Sequence, residues 1–232
     1  MSESSVLQGV GSAKLLPPAV ARPVLARERL EERLDDALGR RLAVVVAGAG
    51  FGKTTLLSGW AARRRVAWYT LAAEDVELGV LVRGLVGALR LRVPGLPTTL
   101  VAVTAGALGP VPDPDELGRA DAYAGHLCAA LQDLNTRDLV LVLDDLHELG
   151  NDGAAAGFVE SLVRHAPPPL HVVVASRAEP PFPIERIRGQ GQVVELTARE
   201  LAFSADETGL LLAEALGARE DGLALALHEA TG

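Results

Sequence analysis

The chain has 232 residues, 49% of them hydrophobic and 22% charged, and carries a formal net charge of −8. That much apolar material over that length can bury a core, which excludes a disordered segment, and the acidic balance argues against a surface that grips a nucleic-acid backbone by itself. A single cysteine, Cys128, excludes an internal disulfide, no apolar run approaches the ~18 residues of a membrane span, and Met1–Leu16 lacks the basic-then-apolar pattern of a leader, so the expectation is a soluble, cytoplasmic protein with no membrane contact.

Residues 1–22, bearing Ser, Gly and Pro, are predicted to form an extended arm, and Arg27–Leu38 a short helix. The apolar run Leu42–Ala47 reads as a strand and opens directly into Gly48-Ala49-Gly50-Phe51-Gly52-Lys53-Thr54-Thr55, after which Leu56, Leu57 and Trp60 share one face of a helix over Lys53–Arg64. A Gly-rich loop between a strand and a helix is a phosphate cradle. Gly48, Gly50 and Gly52 can take positive φ and turn backbone N–H groups toward one point, the helix adds its positive end, Lys53 reaches the β- and γ-phosphates, and the Thr54 hydroxyl meets Mg²⁺. Ala47 stands where the strict pattern writes its first glycine. Only two of the 22 basic residues are lysines, Lys14 and Lys53, so a lysine in the loop marks a place for a compact charge. The run Arg63-Arg64-Arg65 reads as a solvated helix end.

Val66–Leu71 is predicted as the second strand, and Leu78, Leu81, Val82, Leu85, Val86 and Leu89 follow helical spacing. Residues 92–114 weaken into a loop with one short helix, Asp115–Leu134 forms a further helix, and Leu139–Leu143 is an unbroken apolar strand ending in Asp144-Asp145. A helix over Asp152–His165, a strand over Leu170–Ala175 ending in Ser176-Arg177, and a strand over Gln192–Leu196 complete the domain. Strands apolar on both faces that alternate with helices indicate an α/β fold, a parallel sheet covered by helices on both sides. From 200 no strand follows. Ser204-Ala-Asp-Glu207 is a capping box, and residues 200–232 read as the start of a helical lid subdomain, with 23–199 as the nucleotide-binding domain.

At the end of a buried strand downstream of the cradle, Asp144 is placed to hold Mg²⁺ and Asp145 to orient or deprotonate an attacking water. Arg177 ends the next strand and can sense a γ-phosphate. The five histidines show no metal-ligand spacing, and Asn135-Thr-Arg-Asp138 lacks the lysine of a guanine-reading box, leaving adenine as the base. Catalysis is thus expected from Asp145 and Lys53, and metal binding from Thr54 and Asp144. A P-loop kinase or other metabolic NTPase, and a non-hydrolysing nucleotide-binding interaction module, are the alternative readings.

Taken in order, Arg27-Glu28-Arg29-Leu30, the cradle Gly50–Thr55, Trp68-Tyr-Thr-Leu71, Leu143-Asp-Asp-Leu-His147, Ala175-Ser-Arg177 and Leu201-Ala-Phe-Ser204 resemble the ATPase domain of the signal-transduction ATPases with numerous domains (STAND), in the branch of MalT-like and large LuxR-family transcriptional regulators. The resemblance implies a five-stranded sheet of order 2-3-4-1-5. It also implies binding of ATP and ADP with Mg²⁺, slow hydrolysis, inducer-dependent self-association of a full-length protein, and DNA contact only through a C-terminal domain absent here. It places Val24 and Arg27 beside the adenine and matches His147 to a family position.

Overall fold

The apolar runs pair into one parallel sheet of five strands in the computed structural model, which describes residues 11–19, 25–99, 116–134, 138–151 and 153–216, with positions 222, 225 and 226. The strands are β1 (Leu42–Val46), β2 (Val66–Thr70), β3 (Leu139–Asp144), β4 (Leu170–Ser176) and β5 (Val193–Thr197), in the order β2-β3-β4-β1-β5 that the resemblance implies. Every pairing is parallel. β3, covered on both faces, is buried at every position, whereas β5 at the sheet edge alternates.

Side chains alternate across each strand, so one strand feeds two cores. Leu42 and Val44 of β1, with Leu139, Leu141 and Leu143 of β3, join the core under α3 (Leu78–Arg90), α4 (Glu116–Asp133) and α5 (Ala154–His165). Ala43, Val45, Val140 and Val142 join the core under α1 (Glu28–Asp36) and α2 (Lys53–Ala61), where Leu30, Leu57 and Trp60 are fully buried. Each such buried Leu or Val contributes roughly 1.5–3 kcal/mol relative to an exposed one. One close approach depends on a glycine: a Cβ at Gly84 on α3 would overlap the Tyr69 hydroxyl of β2.

Three short helices complete the described chain: α6 (Glu185–Gly189), α7 (Ala198–Leu201) and α8 (Ala205–Leu216). The capping box read at 204–207 is formed: the Ser204 N–H donates to Glu207 Oε2 at 2.8 Å and the Glu207 N–H to Ser204 Oγ at 3.2 Å. The helix expected over 27–38 ends in a separate 3-10 turn, Ala37–Gly39, and the P-loop helix stops at Ala61 rather than Arg64. There Arg64 turns back to donate to the Trp60 carbonyl at 2.8 Å and Arg63 pairs with Glu31 at 2.6 Å. Part of the expected arm forms a 3-10 turn, Ser12–Leu15, against β2. The short helix expected within 92–114 falls largely, and the part of the expected helical subdomain beyond 216 mostly, outside the described residues. Cys128 is buried in α4, and burial pushes its thiol up to about 12, which suits a small apolar core residue. No described helix is long and apolar enough to cross a membrane.

Candidate nucleotide-binding site

The strand register gathers the polar residues on one edge of the sheet. Val46 lies opposite Ser176 on one side and Thr197 on the other, and Thr70 lies opposite Asp144. The residues that follow these strand ends, the cradle, Asp145 and Arg177, therefore share the carboxyl edge, where ligands bind in open parallel sheets.

In the cradle, Gly50 (φ +84°) and Gly52 (φ +72°) are left-handed, and Gly52 stands immediately before α2, so a side chain at either would strain the turn. Gly48 differs from the expectation: it has no positive φ, and its place in the loop is under the Phe51 ring, which a Cβ there would meet at 3.6 Å. Ala47 packs its methyl into the α1–α2 core, which explains why a small residue other than glycine fits. The Lys53 ammonium, only 7% exposed as a residue, donates to the Ala47 carbonyl at 2.7 Å and the Gly48 carbonyl at 2.9 Å. Burial lowers its pKa from the ordinary range, and the charge of Arg177 lowers it further, against the opposing pull of Asp145 and Asp144. Arg177, exposed beyond the end of β4, is thus within electrostatic range of the cradle. Ala49, Phe51 and Thr55 are exposed on the loop and first turn.

The Thr54 hydroxyl donates to Asp144 at 2.9 Å (Oδ2) and 3.2 Å (Oδ1), across 90 residues of sequence. Asp144 is 1% exposed; burial raises its pKa, and the neighbouring Asp145 charge adds to the rise while the Thr54 hydroxyl opposes it. Asp145 adopts φ +59°, ψ +42°, a left-handed conformation that costs a non-glycine residue about 1–3 kcal/mol. Its N–H donates to Asp144 Oδ1 at 3.2 Å, so the buried acid helps to orient the half-buried one. The 3-10 turn Leu146–Leu149 follows, and both ring nitrogens of His147 are buried without a hydrogen-bond partner, Nδ1 lying 3.9 Å from Asp145 Oδ1.

Not every residue singled out from the sequence converges here. Arg27 is buried, and its guanidinium donates to the Glu207 carboxylate at 2.9 and 3.2 Å, the Leu201 carbonyl at 2.8 Å and the Ala202 carbonyl at 2.9 Å, with the Phe203 ring 4.5 Å away. It thereby ties the start of α1 to the turn before α8. Val24 lies outside the described residues. Sequence reading missed Glu207 as Arg27's partner; the capping box announced the carboxylate, but nothing local announced its cation.

A parallel sheet of this order, with a left-handed glycine loop leading into a helix and a hydroxyl–carboxylate pair beside it, defines a P-loop nucleotide-binding ATPase domain. The AAA ATPase domain family matches residues 23–175, and the chain belongs to that family. It is similar to the transcriptional regulator MalT of Yersinia enterocolitica, 30% identical over 199 residues, which cover 83% of this chain and 21% of that protein. The chain thus spans about a fifth of the length of the curated relatives it matches. Among solved structures it resembles the STAND protein with a tetratricopeptide repeat sensor from Pyrococcus horikoshii (TM-score 0.52, 14% identity, 92% of this chain and 28% of that one). It also resembles the FIGL-1 AAA domain in complex with ADP (TM-score 0.53, 13% identity, 100% of this chain and 74% of that one). In sequence the domain is thus MalT-like, and STAND is the class of the Pyrococcus horikoshii neighbour whose fold it shares.

Proposed function

We propose that the domain is an ATP/ADP switch that hydrolyses ATP slowly with Mg²⁺ and serves a longer transcription regulator. The observation that carries the reading is the Thr54–Asp144 hydrogen bond, with Asp145 held in a left-handed turn beside it and Lys53 drawn into the loop. Hydroxyl and carboxylate oxygens suit a hard divalent cation. Among the described residues no group of three or more His, Cys, Asp or Glu could hold a metal, so Thr54 and Asp144 would share Mg²⁺ with phosphate oxygens, the arrangement Mg²⁺ favours. Bound there, the ion supplies charge neutralisation at the β- and γ-phosphates.

The chain's own groups supply the rest. The amides of residues 49–55 and the Lys53 ammonium bind the phosphates, Asp145 orients the attacking water and accepts its proton, and Arg177 donates to the γ-phosphate and so distinguishes ATP from ADP. Adenine is the base, and the resemblance puts Val24 beside it, whereas the Arg27 guanidinium is engaged by Glu207 and the Leu201 and Ala202 carbonyls. In this reading inducer-dependent self-association and DNA contact would fall to other segments of a longer, cytoplasmic protein, and the likeness to an HTH-type transcriptional regulator supports the DNA contact.

Asp145→Asn tests the central role. The variant should bind ATP as the wild type does while releasing phosphate at least about a hundredfold more slowly, the lower bound for loss of a general base. Wild-type phosphate release by Asp145→Asn removes the assigned role, and transfer of the γ-phosphate to a small-molecule acceptor would replace the switch with a kinase.

A further inference from the structure

Lys14 is the chain's other lysine, and it too has a built place. It lies in the 3-10 turn Ser12–Leu15, packed on β2, an edge strand of the sheet. Its ammonium pairs with Asp75 at 2.5 Å and Glu74 at 3.0 Å and lies 5.2 Å from the centre of the Tyr69 ring. Asp75 is fully buried; it also accepts the Tyr69 hydroxyl and, at 2.8 Å, the Ala72 N–H. Burial works against the Lys14 charge, but the hydrogen bonds it donates to Asp75 and Glu74 outweigh it and raise the pKa. The ammonium is thus the ion-pair partner of a carboxylate that water does not reach.

The turn that carries Asp75, Ala73–Val76, packs directly on the turn Leu146–Leu149 that follows Asp145. Just before it, the Leu71 N–H donates to the Asp144 carbonyl at 2.9 Å. Leu71, Leu78, Leu146 and Leu149 share one core. A non-glycine residue in a left-handed turn persists where its surroundings over-determine it, and these packed turns are the surroundings of Asp145.

We propose that Lys14 is a positioning residue for the acidic site: by neutralising Asp75 it seats an N-terminal strap that holds the turns Ala73–Val76 and Leu146–Leu149, and through them the left-handed turn at Asp145. The consequence for turnover rests on the role given to Asp145 above; the consequence for the backbone does not. Removing the ammonium leaves a buried carboxylate unpaired, which is far more damaging than removing both charges together.

The full chain with Lys14→Met tests this. Turnover at saturating ATP should fall about tenfold or more while ADP affinity, by calorimetry, changes less than about twofold, because the cradle is untouched. The amides of Glu148 and Gly150, which donate to the Asp145 and His147 carbonyls at 3.0 and 3.2 Å, should exchange with solvent faster. Adding Asp75→Asn to Lys14→Met, which leaves no buried charge, should restore both protection and turnover in large part. Unchanged amide exchange in Lys14→Met overturns the proposal, as does a parallel loss of turnover and ADP affinity. If the wild type proves not to hydrolyse ATP, the proposed function fails while the amide exchange still decides the strap. If Lys14→Met does not fold, Lys14→Arg keeps the positive charge that the proposal requires: wild-type exchange at Glu148 and Gly150 in that variant supports it, and exchange faster than the wild type overturns it.

Discussion

Asp144 is asked to be ionised where ionisation is costly. It is buried, it adjoins a second carboxylate, and its compensation is the Thr54 hydroxyl and the Asp145 N–H. Its folded-state pKa is raised above the ordinary 3.8, so the ionised form costs the folded protein stability above the folded pKa, and acidification through that value relieves the cost. Metal binding runs the other way, since a protonated carboxyl is no ligand. Mg²⁺-dependent ADP binding, followed by calorimetry across pH, should therefore begin to fail above the usual carboxylate range. Asp144→Asn, which keeps an acceptor for Thr54 and loses the buried charge, should melt no lower than the wild type without ligand and lose the Mg²⁺ dependence. Failure at the ordinary carboxylate pH would mean that burial does not govern this group.

Among the elements, α1 and α8 are joined by charge. Glu207 serves twice, capping the first turn of α8 through the Ser204 N–H and receiving Arg27 and Arg29 from the start of α1. Burial disfavours its ionised form, yet the Arg27 hydrogen bonds and the Ser204 N–H outweigh that and hold its pKa below the ordinary 4.5. The contribution is thus fully present above the unfolded-state value and is lost as pH falls through the lower folded-state value. Arg27→Ala leaves the buried Glu207 carboxylate with only the Ser204 N–H and the half-exposed Arg29, and empties the Arg27 site, so it should destabilise the domain by about 3 kcal/mol at neutral pH, read from urea unfolding. A loss under about 1 kcal/mol would show the pair to be no stronger than a surface ion pair. This clamp also marks how far the sequence could be read. The strands, the cradle, the Asp144 edge and the 204–207 cap are local patterns, visible within a few residues as apolar runs, glycine spacing or a Ser-to-Glu interval. Arg27 meets Glu207 across 180 residues, and Lys14 meets Asp75 across 61. Such pairs leave no periodicity, and the short turns Ser12–Leu15, Ala73–Val76 and Leu146–Leu149 are too brief to show one. Gly48 departs from expectation for a related reason: residue type gives the freedom to take positive φ, but only the loop's path decides where it is used.

At the scale of the molecule, the cradle joins the two cores. β1 sends alternate side chains into both, and the loop that leaves it is tied down by Lys53 on the Ala47 and Gly48 carbonyls, by Ala47 in the α1–α2 core, and by the Ala47 N–H to the Ser176 carbonyl at 3.3 Å. A ligand that binds this loop only when the sheet is formed must stabilise the entire cooperative unit rather than a surface segment. Linkage sets the size: at a hundredfold excess over Kd, ADP with Mg²⁺ should add about 2.7 kcal/mol, or roughly 5–11 °C in melting temperature for a domain of this length. Calorimetric scans with and without nucleotide read the shift directly. Lys53→Ala, which removes the tie between the two loop carbonyls and, in the proposed function, the phosphate contact, should abolish nearly all of the shift. Two outcomes would separate the roles of the lysine. A lower melting temperature without ligand but an undiminished ADP shift would leave Lys53 as a loop fastener alone, whereas an unchanged apo melting temperature with the shift gone would make the phosphate its whole purpose. The hydrogen bonds to Ala47 and Gly48 predict that Lys53→Ala lowers the apo melting temperature and loses the shift as well, because the loop proposed to hold the phosphate is the same loop that the ammonium holds.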